Sequence, residues 1–154
     1  MTTSNRFKFS PVAIAAGYRS GLEKVIADRL AVLKVNFRYE EDTFCYTKPA
    51  RISKYTPDFV LPNGIIIESK GQFKTADRQK HVLIKAQHPL LEIRFVFSNP
   101  NQRISKTSKT TYAMWCDTNG FLYAKRMIPQ EWIDAGKSLA WLHAIQVNRW
   151  EKNK

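Results

Sequence analysis

The spacing of apolar residues divides the chain into helical and extended segments. Apolar residues recur at helical spacing from residue 20 to residue 34 and Ser20 is a suitable N-cap, so this segment is predicted to form an amphipathic helix. Aromatic and charged residues alternate from residue 36 to residue 46, which favours a strand. A second helix, ended by a proline, is predicted over residues 75–88, and a strand over residues 91–97.

The remaining segments complete a mixed pattern of helices and strands. Residues 47–54 are predicted to form a basic connector, residues 98–110 a polar surface loop, and residues 111–150 two short helices and a tail helix. This order predicts an α/β or α+β fold around a mixed sheet. Three regions are expected: a basic N-terminal arm over residues 1–17, one domain over residues 18–136 and a helical tail over residues 137–154. In the tail, Trp141 and Trp150 are expected to pack on the domain.

The stretch YTPDFVLPNGIIIESKGQ, residues 55–72, indicates two strands around a turn. A two-residue turn would place Asp58 opposite Ser69, with Glu68 on the other face of the sheet. A three-residue loop over residues 62–64 would instead place Asp58 opposite Glu68. Proline at the start of that loop and glycine at its end favour the second register, because a type I turn followed by a left-handed residue needs those residue types.

In that register Lys70 shares a face with the two carboxylates. Asp58 and Glu68 could then hold Mg²⁺, with Mn²⁺ expected to substitute, while Lys70 stabilises charge on a phosphate or helps to activate a water. The alternative is a surface ion pair between Lys70 and its neighbours. Glu23 has two possible roles, because it is the third residue of a capping box and could also supply a third carboxylate.

The charge of the chain indicates a polyanionic partner. It has 25 Lys+Arg against 13 Asp+Glu, a formal charge of +12. Nucleic acid is the favoured partner because each neutralised phosphate releases counterions. An anionic membrane surface is the alternative, although no stretch approaches the ~18 apolar residues that span a bilayer. Cys45 and Cys116 are isolated, which predicts neither disulfide nor zinc site and favours the cytoplasm.

Basic residues around the second predicted helix are candidates for phosphate contacts. The candidate DNA-binding residues are Arg19, Lys74, Arg78, Lys80, His81 and Lys85. The basic segment over residues 10–19 is a further candidate. A solvated helix face is the alternative, above all for Lys85. No recognition helix is evident, so selectivity for DNA structure is expected rather than selectivity for sequence.

These residues resemble a known family. Pro57-Asp58 followed by Glu68-Ser69-Lys70 resembles the motif of the PD-(D/E)xK nucleases. Four blocks, YRSGLE, YTPDFVLPNGIIIESKG, DRQKHVLIKAQHPLLEIRFVFS and IPQEW, span residues 18–132 and are similar to the phage endonuclease I family, the Holliday-junction resolvases of T7-like phages.

The resemblance implies a restriction-endonuclease-like mixed sheet flanked by helices. It also implies a Mg²⁺-dependent homodimer that cuts opposed strands of four-way and other branched DNA junctions. In such a domain-swapped dimer, Glu23 of one chain joins the catalytic residues Asp58, Glu68 and Lys70 of the other, and Glu23, Asp58 and Glu68 are the metal ligands. Arg38 stands where another acidic residue is expected, and the nearest carboxylate on that face belongs to Glu40.

Two rival functions remain open from the sequence. One is a DNA-binding protein without catalytic activity, in which the charged cluster is structural. The other is a nuclease of the same superfamily with another DNA target, such as a transposon end.

Overall fold

The computed structural model describes residues 17–48 and 50–150. The predicted N-terminal arm lies outside the described residues except for Gly17. In chain order the elements are α1 (Gly21–Val32), β1 (Arg38–Tyr39), β2 (Phe44–Lys48), β3 (Arg51–Tyr55), β4 (Phe59–Val60), β5 (Ile65–Lys70), α2 (Thr75–Gln87), β6 (Glu92–Phe97), α3 (Tyr112–Asn119), β7 (Leu122–Lys125), α4 (Gln130–Asp134) and α5 (Leu139–Asn148). Within the described ranges, no helix combines the length and apolar character needed to cross a membrane.

A mixed five-stranded sheet forms the centre of the fold, as predicted. Its strand order is β1-β4-β5-β6-β7, with antiparallel pairing from β1 to β5 and parallel pairing from β5 to β7. In the β4–β5 hairpin, Phe59 pairs with Ile67 and Val60 with Ile66, so Asp58 falls opposite Glu68. The predicted three-residue loop is therefore confirmed.

The strand β5 is buried on both faces, which explains its three consecutive isoleucines. Ile66 packs with β6, α2, α3 and α5 on one face of the sheet. Ile65 and Ile67 pack with α1 and α4 on the other face. Trp141 contacts this second core, and the Lys54 ammonium lies 3.5 Å from the ring centre of Trp150. The predicted packing is thus confirmed for Trp141, while Trp150 lies against Lys54 of β3.

Two sequence predictions about the extended segments are wrong. Residues 36–46 do not form one strand, because Glu40 has a left-handed backbone (φ 52°) that ends β1 after two residues. The predicted connector over residues 47–54 instead belongs to β2 and β3, which pair in a separate two-stranded sheet. This hairpin is held to the body by Phe44 and Tyr55, which are buried in the core. The edge strand β7 was not predicted.

Candidate active site

Asp58 lies where the β4 ladder stops. In the hairpin register, residue 57 falls opposite Ser69, but Pro57 has no N–H to continue the ladder. The Asp58 side chain takes the place of the missing strand partner. The backbone N–H of Ser69 donates to Asp58 Oδ2 at 2.8 Å, and the Ser69 hydroxyl donates to the same oxygen at 2.7 Å. One carboxylate oxygen is thereby fixed, which leaves Oδ1 for a metal ion.

Glu68 is buried near the end of β5, with Lys70 on the same face. The Tyr55 hydroxyl donates to Glu68 Oε2 at 2.9 Å, and Lys70 Nζ lies 3.1 Å from Glu68 Oε1. Lys70 Nζ also lies 3.7 Å from a carboxylate oxygen of Asp77 on α2. The ammonium is thus held between two carboxylates, in agreement with the predicted shared face of Glu68 and Lys70.

Glu23 caps α1 and also lies in the acidic cluster, the two roles that the sequence allowed. The capping box is present, because the Ser20 hydroxyl accepts from Glu23 N–H and the Ser20 N–H donates to Glu23 Oε2. That same oxygen accepts from the Arg19 N–H at 2.8 Å and from the Tyr39 hydroxyl at 2.8 Å. Glu23 also lies beside Asp58, so capping and a place in the acidic cluster are compatible.

Glu40 is a further carboxylate at the site. One ligand oxygen each from Glu23, Glu40 and Asp58 lies within 4.8 Å of the other two. The left-handed turn at Glu40 brings this side chain to the cluster, and Arg19 forms an ion pair with it at 3.0 Å. Glu68 is not a member of this close trio. Sequence reasoning noted Glu40 only as the nearest acidic residue, since the turn that positions it had been predicted as continuous strand.

The protonation of the carboxylates reflects burial and mutual repulsion. Burial, followed by the charge of Glu68, raises the pKa of Asp58 to about 8, although the Ser69 hydrogen bonds oppose the rise. Burial also raises the pKa of Glu40. Asp58 is therefore mainly protonated at neutral pH in the metal-free protein, and a bound divalent cation would favour its ionised form.

Glu68 and Lys70 stabilise each other's charged forms. Burial alone would raise the pKa of Glu68, but neighbouring cations outweigh it and hold this pKa below its usual value. Lys70 is the main such cation at neutral pH, because burial lowers the pKa of His81 to about 4 and leaves that imidazole uncharged. Burial likewise would lower the pKa of Lys70, but Glu68 and Asp77 outweigh it and raise this pKa. Lys70 is therefore a permanent cation at neutral pH.

Two predicted DNA contacts, Arg78 and His81, are buried on the core-facing side of α2. Arg78 and His81 lie three residues apart on the face of α2 that also carries Ile84, and this face packs on the core. The guanidinium of Arg78 donates to the Phe73 carbonyl and to the Thr75 hydroxyl. His81 is 0% exposed, with its ring against aromatic side chains of the core. His81 is thus closed to a ligand outside the protein, whereas Arg78, although mostly buried, lines a surface pocket beside Trp115.

The other predicted DNA contacts remain at the surface. The Arg19 side chain is 74% exposed beside Glu40, and Lys74 is exposed at the start of α2. Lys80 is half-buried, with its ammonium 3.8 Å from Asp77. Lys85 points away from these groups, since its ammonium donates to the Gly120 carbonyl at 2.5 Å. Arg19, Lys74 and Lys80 therefore remain candidate phosphate contacts.

Fold and site together define a mixed α/β protein with a buried carboxylate and lysine centre at the end of its central strand. The chain belongs to the phage endonuclease I family, whose model matches residues 5–152. It is 45% identical over 120 residues to Endonuclease I of Escherichia phage T7, covering 78% of this chain and 80% of that relative. It is 46% identical over 112 residues to Endodeoxyribonuclease 1 of Enterobacteria phage T3, covering 73% and 74% of the two chains.

Proposed function

We propose that this chain is a metal-dependent DNA endonuclease that resolves four-way and other branched junctions by hydrolysing phosphodiester bonds. The family membership and the names of both relatives support an endonuclease. The observation that carries the chemistry is the convergence of Asp58 and Glu23 on one point, beside the Glu68–Lys70 pair. A surface ion pair explains none of this convergence, because Glu23 and Glu68 are both buried.

The carboxylates fit a divalent metal such as Mg²⁺, with Asp58, Glu68 and Glu23 as the residues that would hold it. Hard cations prefer carboxylate oxygens, and one oxygen of each of these three side chains is anchored by protein donors. The other oxygen of Glu68 is paired with the Lys70 ammonium, so Lys70 and a metal ion would share it. A bound Mg²⁺ would polarise the phosphate and make a bound water more acidic. Glu40 is close enough to contribute a fourth carboxylate.

Lys70 acts in this proposal as a fixed positive charge. Its raised pKa keeps the ammonium protonated at neutral pH, so it is unsuited to accept a proton from water. The Glu68 and Asp77 contacts hold Nζ at the open end of the hairpin. There it would donate a hydrogen bond to a phosphate oxygen and stabilise the charge that develops on it.

Cutting two opposed strands of a junction requires two sites related by a two-fold axis, so we propose a homodimer. Exposed cations near the site, Arg19 and Lys74, are expected to contact phosphates of the junction arms. Such contacts select a backbone shape rather than a base sequence. For a phage protein the expected location is the cytoplasm of the host cell.

A cleavage experiment tests this function directly. A labelled four-way junction and a linear duplex of the same sequence are incubated with Mg²⁺ and with wild-type, Glu68→Ala or Glu68→Gln protein. The wild type is expected to make paired cuts near the branch point, while both variants cut at least about a hundredfold more slowly and still shift the junction on a native gel. Glu68→Gln keeps the side-chain volume and so controls for unfolding.

Other outcomes would point to the rival functions. Binding without cleavage by the wild type in Mg²⁺ and in Mn²⁺ would indicate a DNA-binding protein with a structural charge cluster. Equal cleavage of junction and duplex would keep the nuclease and remove the junction selectivity.

A further inference from the structure

A hydrogen-bonded ribbon follows β6, in the segment predicted as a polar loop. We call residues 99–111 the basic ribbon. Its two arms are joined where the Ile104 N–H donates to the Thr110 carbonyl at 2.9 Å, and a β-bridge links Arg103 to Thr111. The Ile104 side chain packs against the core. The ribbon is therefore a built part of the fold with a defined position.

The ribbon carries positive charge without any negative charge. Arg103, Lys106 and Lys109 are exposed on it, and the chain has no acidic residue between Glu92 and Asp117. None of these three cations forms an ion pair with a described residue, whereas Lys70 and Lys80 do. An uncompensated group of cations on an ordered element attracts a polyanion.

A groove of about 240 Å³ separates the ribbon from the segment that follows β5. Its polar lining consists mainly of Gln72, Lys74, Gln102, Arg103, Ser105 and Lys106. At its floor the Phe73 N–H donates to the Tyr112 hydroxyl at 3.1 Å. At the strand end the Ser98 N–H donates to the Lys70 carbonyl at 3.1 Å. Gln72, the first residue of the groove lining, lies two positions after the proposed catalytic lysine in the chain.

We propose that this groove binds the sugar-phosphate backbone of the DNA arm that enters the active site. The proposal rests on the endonuclease function proposed above and adds a specific surface to it. Arg, Lys, Gln and Ser side chains are the groups that proteins use for phosphate and sugar contacts. They line the groove on both sides, and Gln72 follows Lys70 by two residues, so the backbone next to the cut phosphate would pass along this groove.

The experiment compares two double variants that lose the same charge. Both are made in the Glu68→Gln chain, so that the junction is bound and not cut. Arg103→Gln/Lys106→Gln removes two ribbon cations. The control is Lys34→Gln/Lys137→Gln, which removes two exposed lysines outside the groove. Lys34 follows α1. Lys137 precedes Ser138, whose N–H donates to the carbonyl of Asn63 at the loop end of the β4–β5 hairpin, the opposite end from Lys70. Junction affinity is measured at several salt concentrations.

The ribbon variant is expected to bind about tenfold more weakly at moderate salt. Its plot of log affinity against log salt should be shallower by about 2, since each phosphate contact contributes about 0.9 to that slope. The control variant should keep the slope of the Glu68→Gln chain. Equal slopes for the two variants, with junction binding intact, would overturn the groove proposal alone. A Glu68→Gln chain that binds no junction would overturn the proposed function together with the groove.

Discussion

At the scale of single residues, the acidic side chains of the site share one arrangement. Glu23, Asp58 and Glu68 each have one oxygen that accepts hydrogen bonds from neighbouring donors. These donors are uncharged groups, namely backbone N–H groups and the hydroxyls of Tyr39, Tyr55 and Ser69. Groups of this kind orient ligands and tune their basicity, and their loss weakens metal sites by about 10–100-fold.

Ser69 offers the clearest test of this orienting role. Ser69→Ala removes the hydroxyl that donates to Asp58 Oδ2 and leaves only the backbone N–H to hold that oxygen. We expect the Mg²⁺ concentration for half-maximal junction cleavage to rise about tenfold, and Mn²⁺ binding followed by calorimetry to weaken similarly. Ser69→Thr keeps a hydroxyl and should restore both quantities. Unchanged metal binding in Ser69→Ala would argue against the role.

The raised pKa of Asp58 predicts how the stability of the metal-free protein depends on pH. The folded pKa is about 8, while an unfolded aspartate has a pKa near its usual ~3.9, so between these values the folded state keeps a proton that the unfolded state has lost. Stability should therefore fall as pH rises towards 8. His81 acts oppositely, because its folded pKa is about 4, but its contribution is complete above about pH 6.5.

Urea unfolding in EDTA at pH 6.5 and at pH 8 measures this effect. The wild type is expected to lose about 1–2 kcal/mol of unfolding free energy over that interval. Asp58→Asn cannot ionise and should lose much less. Added Mg²⁺ should reverse the loss in the wild type only. A wild-type stability that does not change between the two pH values would contradict a raised pKa of Asp58.

At the scale of elements, the residue types in the loop made the register of the β4–β5 hairpin predictable. A proline and a glycine in a three-residue loop fixed the register, and the register placed Asp58 opposite Glu68. Gly64 indeed has φ 95°, a left-handed conformation. The structure adds a second reason for this glycine, because a Cβ there would lie 2.8 Å from Trp141 Cβ. That contact joins residues far apart in sequence, so local patterns did not reveal it.

The predictions of a strand over residues 36–46 and of exposed side chains at Arg78 and His81 were wrong, because tertiary contacts override the local sequence pattern. The two residues of β1 are a strand only because they pair with β4, and the turn at Glu40 follows from that short pairing. Arg78 and His81 were taken as surface residues from their polarity. Their spacing of three, with Ile84 three residues further on, was a signal for the buried face of α2.

At the scale of the whole molecule, opposite charges are segregated. The net charge is +12, yet the carboxylates of Glu23, Glu40 and Asp58 are gathered at one point. The basic ribbon follows β6, which pairs in parallel with β5, the strand that carries Glu68. A polyanionic substrate is attracted by the surface, and a metal cation would offset repulsion between that substrate and the acidic centre.

The chain that supplies Glu23 decides whether each active site is formed by one chain or shared by two. Within the single chain described here Glu23 already lies beside Asp58. A domain-swapped dimer would make the same contact between chains, with the exchange passing through the segment that joins α1 to β4. A site formed within one chain and a composite site can be told apart in a mixed dimer of two variants. In the first case substitutions on one chain share a site, and in the second case Glu23 of one chain shares a site with Glu68 of the other.

Co-expression of Glu23→Gln chains with Glu68→Gln chains separates the two arrangements. If the site is composite, both substitutions fall in one site of the mixed dimer and the other site is intact. Random assortment makes about half of the dimers mixed, so nicking of one junction strand should return although neither variant is active alone. If each chain completes its own site, every site carries one substitution and no nicking returns. Wild-type chains mixed with Glu23→Gln/Glu68→Gln chains give the reverse pattern. The mixed dimer then has one intact site if each chain completes its own site, and it has no intact site if the sites are composite.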